Sequence, residues 1–93
     1  MTAQISVQPV NETRFEVIVW ENGSETRHVV TVEPAYARKL AGTVDSAEEL
    51  VRRSFQFLLE REPKESILRQ FNLRDIGRYF PDYETEIRDQ LAL

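Results

Sequence analysis

The chain of 93 residues contains no cysteine, which excludes a disulfide framework and a thiolate nucleophile. Its three glycines, Gly23, Gly42 and Gly77, are scattered, so the P-loop and the dinucleotide-binding fingerprint are both absent. No apolar run approaches the roughly 20 residues of a membrane-spanning helix. The N-terminal segment also lacks the basic region and long apolar stretch of a signal peptide, so we expect a cytoplasmic protein.

Histidine is scarce as well, and the 12 basic residues are outnumbered by 16 acidic ones. His28 is the only histidine, so an imidazole-based metal site would lack a second ligand of its kind, and we expect a structural strand residue. Asp82, Glu84, Glu86 and Asp89 lack the glycine bend of a calcium loop and are expected to form a solvated helix face. The net charge of −4 argues against nonspecific binding to nucleic acid or anionic lipid. We therefore expect no metal, no cofactor and no catalytic residue, and a small carboxylate enzyme is the least favoured function class.

The longest regular segment covers residues 46–62, SAEELVRRSFQFLLERE. At about 100° per residue, its apolar residues fall on one side of a helix and its charged residues on the other. Ser46 and Glu49 have the spacing of a capping box at its start, and Pro63 disfavours helix beyond Glu62. The apolar side consists of Ala47, Leu50, Val51, Ser54, Phe57 and Leu58, widened by Phe55 and Leu59. This helix is expected to organise the core.

Residues 13–20, TRFEVIVW, give the clearest strand signal, because β-branched and aromatic residues alternate with polar ones. Asn22 and Gly23 are the usual pair for a type I′ turn, so residues 26–32 are expected to return as the second strand of a hairpin. Residues 4–8 alternate more briefly and predict an edge strand. A five-residue loop with a bulge is the main alternative to the two-residue turn.

The two-residue turn would fix which side chains share a face of the sheet, whereas a slip of one residue would exchange the faces. The face expected to cover the helix holds Phe15, Val17, Val19, His28, Val30 and Val32. The opposite face holds Arg14, Glu16, Ile18, Trp20, Glu25, Arg27, Val29 and Thr31. Ile18, Trp20 and Val29 are candidate partner-binding residues, because tryptophan is enriched among interface anchors. The alternative is that Trp20 packs beneath a loop or the C-terminal helix.

Four shorter helices are expected around these elements. Pro34 and Gly42 bracket the first, residues 63–71 form the second, and residues 73–79 form the third behind an Asn72 cap. Residues 82–91 form the last. The predicted fold class is α+β, in one domain over residues 1–93. An antiparallel two- or three-stranded meander packs on one long helix and is followed by short C-terminal helices.

Residues 65–80 superficially resemble a helix-turn-helix, with a turn at Asn72 and Leu73. Arg74 and Arg78 then lie one turn apart on the second helix, with Arg69 nearby, and would be the nucleic-acid-binding residues of such a module. The helix meets Pro81 after about two turns, which is short for a recognition helix. A solvated arginine face is the simpler interpretation.

Residues 54–87 resemble a family of small uncharacterised bacterial proteins. The runs that carry the resemblance are F-x-F-L-L-E-R-E-P-K-E-S-I-L and Y-F-P-x-Y-E-x-E-I. The resemblance implies a bacterial cytosolic domain with no assigned activity. In outline, a hairpin followed by a long helix is also similar to small antitoxins, although the DNA-binding segment that they usually add is absent here.

These observations predict a non-enzymatic protein-binding or self-associating module that uses Ile18, Trp20 and Val29. We expect a protein partner or a second copy of the chain, and no membrane. The alternative function is an antitoxin-like nucleic-acid-binding regulator that uses Arg69, Arg74 and Arg78.

Overall fold

The structure, a computed structural model, describes residues 3–42 and 47–91. Within them the chain forms a mixed α+β fold, which confirms the predicted fold class. The elements in chain order are β1 (Gln4–Pro9), β2 (Arg14–Glu21), β3 (Ser24–Thr31), α1 (Pro34–Ala41), α2 (Ala47–Leu59), β4 (Gln70–Asn72), α3 (Ile76–Tyr79) and α4 (Tyr83–Leu91). Single 3₁₀ turns cover Lys64–Ser66 and Leu73–Asp75. No helix in the described ranges is long and apolar enough to cross a bilayer.

The β2–β3 hairpin has the predicted turn and the predicted register. Asn22 and Gly23 have φ angles of 57° and 79°, the left-handed pair that a type I′ turn requires. Phe15 pairs with Val30 and Val17 pairs with His28. The five-residue loop is therefore wrong, and so is the slipped register. β1 lies antiparallel on the other side of β2, as the outer strand.

The inner face of the sheet packs on α2, and this contact forms the centre of the core. Val17 and Val30 from the sheet and Phe55 from the helix have no exposed surface. The Phe55 ring centroid lies 5.3 Å from that of His28 and 6.0 Å from that of Phe71. The helix ends at Leu59, three residues before the predicted end, and the proposed Ser46 cap lies outside the described residues.

The meander was predicted with two or three strands, but the sheet has four, and β4 runs parallel to β3. The helix predicted over residues 63–71 is wrong. Its apolar residues do have helical spacing, but Ile67 adopts an extended conformation (φ −75°, ψ 131°) directly after the first 3₁₀ turn. The Val29 N–H then donates to the Arg69 carbonyl at 2.8 Å. Backbone pairing with β3 therefore overrides the local pattern.

The C-terminal elements follow the sequence more closely. The Asn72 side chain accepts from the Arg74 N–H at 3.1 Å and caps the helical segment that leads into α3. On α4, Tyr83 and Ile87 are fully buried. The Tyr83 hydroxyl lies 2.6 Å from Ser54 Oγ, which joins α4 to α2 inside the core.

Candidate interaction surfaces

The outer face of the sheet brings the three candidate partner-binding residues together. Ile18 and Trp20 lie two residues apart on β2, and Val29 on β3 is the diagonal neighbour of Ile18, whose direct partner is Arg27. Side chains in such positions are within reach of one another. Ile18, Trp20 and Val29 therefore form one apolar stripe, which we call the outer stripe.

The outer stripe is open to solvent. Trp20 is 46% exposed, and Ile18 and Val29 are half-buried. The buried residues of α1, α2 and α4 belong to the core on the other side of the sheet. This exposure contradicts the alternative in which Trp20 packs beneath a loop or the C-terminal helix.

Polar residues surround the stripe, and their charges cancel. The charged residues of β2 and β3 on this face are Arg14, Glu16, Glu25 and Arg27, two of each sign. Arg27 Nε donates to Glu25 Oε2 at 3.0 Å. β1 adds only uncharged side chains, those of Gln4, Ser6 and Gln8. The outer face is therefore neutral, although the chain as a whole carries −4.

The outer edge of β1 is less available than its face. An unpaired edge strand normally invites another strand to pair with it. Here an Arg52 guanidinium N–H from α2 donates to the Ile5 carbonyl at 2.6 Å. Pro9, at the end of the strand, has no N–H to offer. Side-chain capping and proline thus hinder pairing along this edge.

A second surface is an apolar groove that the sequence did not predict. It encloses about 290 Å³ between the end of α2, the chain that leads into β4, and α3. The residues that line it are Leu58, Glu62, Ser66, Ile67, Leu68, Phe71, Asp75, Ile76, Tyr79 and Phe80. The only sequence signal was the apolar content of these segments, which are predicted above to form short helices. The extended conformation after Ser66 instead leaves Leu68 on the surface.

The three arginines of the nucleic-acid hypothesis lie on different elements. Arg69 precedes β4, Arg74 lies in the second 3₁₀ turn, and Arg78 lies in α3. The first helix of the proposed helix-turn-helix is absent, since β4 takes its place. Arg74 Nη1 lies 2.8 Å from a Glu33 carboxylate oxygen, and Arg78 Nε lies 3.9 Å from Asp75. These carboxylates reduce the positive potential that a phosphate backbone would meet.

His28 is buried and fully hydrogen-bonded, in keeping with the structural role expected for it. Its Nδ1 lies 2.8 Å from the Leu68 carbonyl, which can only accept, so Nδ1 carries the proton. Nε2 then accepts from the Thr26 hydroxyl at 2.8 Å. Burial lowers the pKa of His28, and the positive charge of Arg69 acts in the same direction. The neutral ring thus ties β3 to the chain that leads into β4.

As expected, the acidic C-terminal segment is largely solvated, since Asp82, Glu86 and Asp89 are exposed, but three of its carboxylates also contact side chains elsewhere in the chain. Glu84 accepts from the Tyr36 hydroxyl at 2.7 Å, which holds the pKa of Glu84 below its usual range. Arg61 Nη2 lies 3.2 Å from Asp82 and 2.6 Å from Glu86. Its guanidinium carbon also lies 3.5 Å from the centroid of the Phe57 ring. These groups therefore have structural partners.

Across the described part of the chain, no group of three or more His, Cys, Asp or Glu residues is placed to hold a metal ion. No family model, curated protein or solved structure matches this chain. The resemblance of residues 54–87 to small bacterial proteins accordingly stays a prediction.

Proposed function

We propose that this chain is a non-enzymatic protein-binding module that self-associates through the outer face of its sheet. The observation that carries the proposal is the outer stripe, an apolar row that includes an exposed tryptophan and is left uncovered on an otherwise packed sheet. Aromatic side chains with large exposed area are the usual anchors of protein interfaces.

The charge distribution favours a second copy as the partner. Two copies of a chain that carries −4 repel each other over most of their surfaces. The outer face is an exception, because its two arginines and two glutamates leave it neutral. A two-fold contact would place the same face on both subunits, so that arginines of one copy could meet glutamates of the other. Two sheets in such a contact would lie about 10 Å apart, with both stripes between them.

Self-association can be tested with the tryptophan itself, because Trp20 is the only one in the chain. We expect sedimentation equilibrium to show a reversible dimer, and the Trp20 emission to shift to the red when the dimer is diluted. Trp20→Lys should abolish the dimer, since each subunit would then bury an ammonium group in the contact.

Tyr79→Lys is the matched control. Tyr79 is 70% exposed and borders the groove rather than the outer stripe, so this variant should still dimerise. A wild-type chain that stays monomeric at several hundred micromolar would contradict the proposal. An equal loss of dimer in the two variants would also contradict it, because it would indicate nonspecific association.

The nucleic-acid alternative has weaker support. Arg74 and Arg78 are each accompanied by a carboxylate, and Arg69 lies on a different element from either. We therefore do not favour a regulator that uses these three residues.

A further inference from the structure

We propose that the groove at the end of α2 is a second binding site, which takes a linear peptide segment with a large apolar side chain next to an arginine or lysine. This site is separate from the outer stripe and does not depend on self-association.

The preference for a large apolar side chain in the peptide follows from the exposed apolar residues at the rim of the groove. Leu68 is 56% exposed and Tyr79 is 70% exposed, and they are two of the four large hydrophobic residues that stand exposed in the described ranges. Both border the same groove. Two such side chains beside one concave surface are a stronger sign of a binding site than scattered exposed residues.

The groove has a firm floor. Leu58, Ile67 and Ile76 are almost completely buried beneath it. Two hydrogen bonds fix its walls, one to β3 and one within the last turn of α3. The Leu68 carbonyl accepts from His28 at 2.8 Å, and the Phe80 N–H donates to Ile76 at 2.9 Å. A preformed groove loses little conformational entropy when it binds a ligand.

The preference for an arginine or lysine in the peptide follows from the charged residues of the groove lining. Among the described residues that line the groove, only Glu62 and Asp75 are charged, and both are acidic. Lys64, close by in sequence, is buried, and its ammonium group donates to Glu65 at 2.7 Å. Arg78 Nε lies 3.9 Å from Asp75 and offsets part of its charge, so Glu62 is the carboxylate that keeps the lining acidic. An apolar groove with two carboxylates favours a cation beside the apolar anchor and disfavours phosphates and other anions.

The volume favours a peptide side chain over a larger ligand. Pockets for drug-sized ligands and cofactors enclose about 300–1,000 Å³, so a groove of about 290 Å³ lies at the lower limit of that range. It can hold one aromatic or two small aliphatic side chains, while the peptide backbone and the basic residue remain near the open rim.

Selection from a phage-displayed library of random 12-residue peptides, on the immobilised full chain, is the first test. We expect the enriched peptides to carry Leu, Phe or Trp next to Arg or Lys. One of them, labelled with fluorescein, then serves as the probe in fluorescence anisotropy, beside a twin peptide in which Glu replaces the basic residue. The twin should bind at least about fivefold more weakly, and added salt should reduce the difference between the two.

Three variants locate the site. Tyr79→Ser should weaken binding of the probe by about tenfold, as expected for an exposed anchor. Glu62→Gln/Asp75→Asn keeps the shape of the groove and should reduce the preference for the basic peptide by up to about fivefold per carboxylate. Trp20→Lys is the control and should bind the probe like the wild type, even if it no longer dimerises.

The proposal is overturned if acidic or purely polar peptides are enriched, or if the library yields no peptide above background. It is equally overturned if Tyr79→Ser binds the probe like the wild type. Loss of probe binding in Trp20→Lys alone would assign the peptide to the outer face. Because dimerisation and probe binding are measured separately, failure of one proposal is distinguishable from failure of the other.

Discussion

Replacing Tyr83 with phenylalanine removes one hydroxyl from the interior of the protein. Tyr83 and Ser54 have no exposed surface. Ser54 Oγ donates to the Leu50 carbonyl at 2.7 Å, so the hydrogen bond between the two hydroxyls must be donated by Tyr83. In Tyr83→Phe the serine keeps its acceptor and only one hydrogen bond is lost. We expect the free energy of unfolding to fall by about 0.5–1.5 kcal/mol.

Ser54→Ala should cost more, although it removes a smaller group. The Tyr83 hydroxyl would remain buried without its partner, and leaving such a group unsatisfied costs about 1–3 kcal/mol. In the double variant, Ser54→Ala/Tyr83→Phe, neither hydroxyl remains. Its destabilisation should therefore be smaller than the sum of the two single changes, by about 1 kcal/mol.

Urea denaturation followed by circular dichroism would measure the four free energies. In a domain of this size, 1 kcal/mol corresponds to a change in Tm of roughly 4–8 °C, so the effects are resolvable. If the destabilisation of the double variant equals the sum of the two single changes to within about 0.5 kcal/mol, the reasoning is refuted. Such additivity would show that the two hydroxyls do not stabilise each other. A matched surface control is Tyr79→Phe, whose hydroxyl group lies on a largely exposed side chain and whose loss should change the free energy of unfolding by less than about 0.5 kcal/mol.

Three further predictions concern the core, the histidine and the arginines. Phe57→Ala should destabilise the protein by about 3–5 kcal/mol, measured by urea denaturation, because the ring is buried between α2 and α4. Burial lowers the pKa of His28 in the folded state, so the unfolded chain binds the proton first as the pH falls below about 6.5. Stability should therefore start to drop as the pH falls below about 6.5, and His28→Asn should flatten that drop in pH-dependent melting curves. On heparin, the wild type and Arg74→Glu/Arg78→Glu should elute together at low salt, and a clear loss of retention in the variant would revive the nucleic-acid alternative.

The parts of the fold that could be predicted are those that local sequence determines. The Asn22–Gly23 turn, with the alternation on either side of it, gave the register of the hairpin and hence the outer stripe. The caps at Pro34, Gly42 and Asn72 gave helix boundaries, because each acts through its own neighbouring backbone.

β4 could not be predicted in this way, because its conformation depends on a partner far away in the chain. Ile67 and Phe71 have the spacing of a helix face, yet the Arg69 carbonyl and His28 side chain bind the segment to β3. The groove was missed for the same reason, since it exists only where this extended segment meets α2 and α3. The ion pairs of Arg61 could not be predicted either, because Asp82 and Glu86 lie more than 20 residues further along the chain, next to and within the first turn of α4.

The parallel pairing of β4 has a consequence for how the chain reaches its folded state. His28 and Leu68 are 40 positions apart, and α1 and α2 lie between them in the chain. Both helices are therefore synthesised before Leu68 can reach His28. A growing polypeptide therefore carries β3 with one unpaired edge until about Asn72 has left the ribosome. During that interval the Val29 amide and the Phe55 ring lack their final neighbours, and this is when the molecule is most exposed to pairing with the wrong strand.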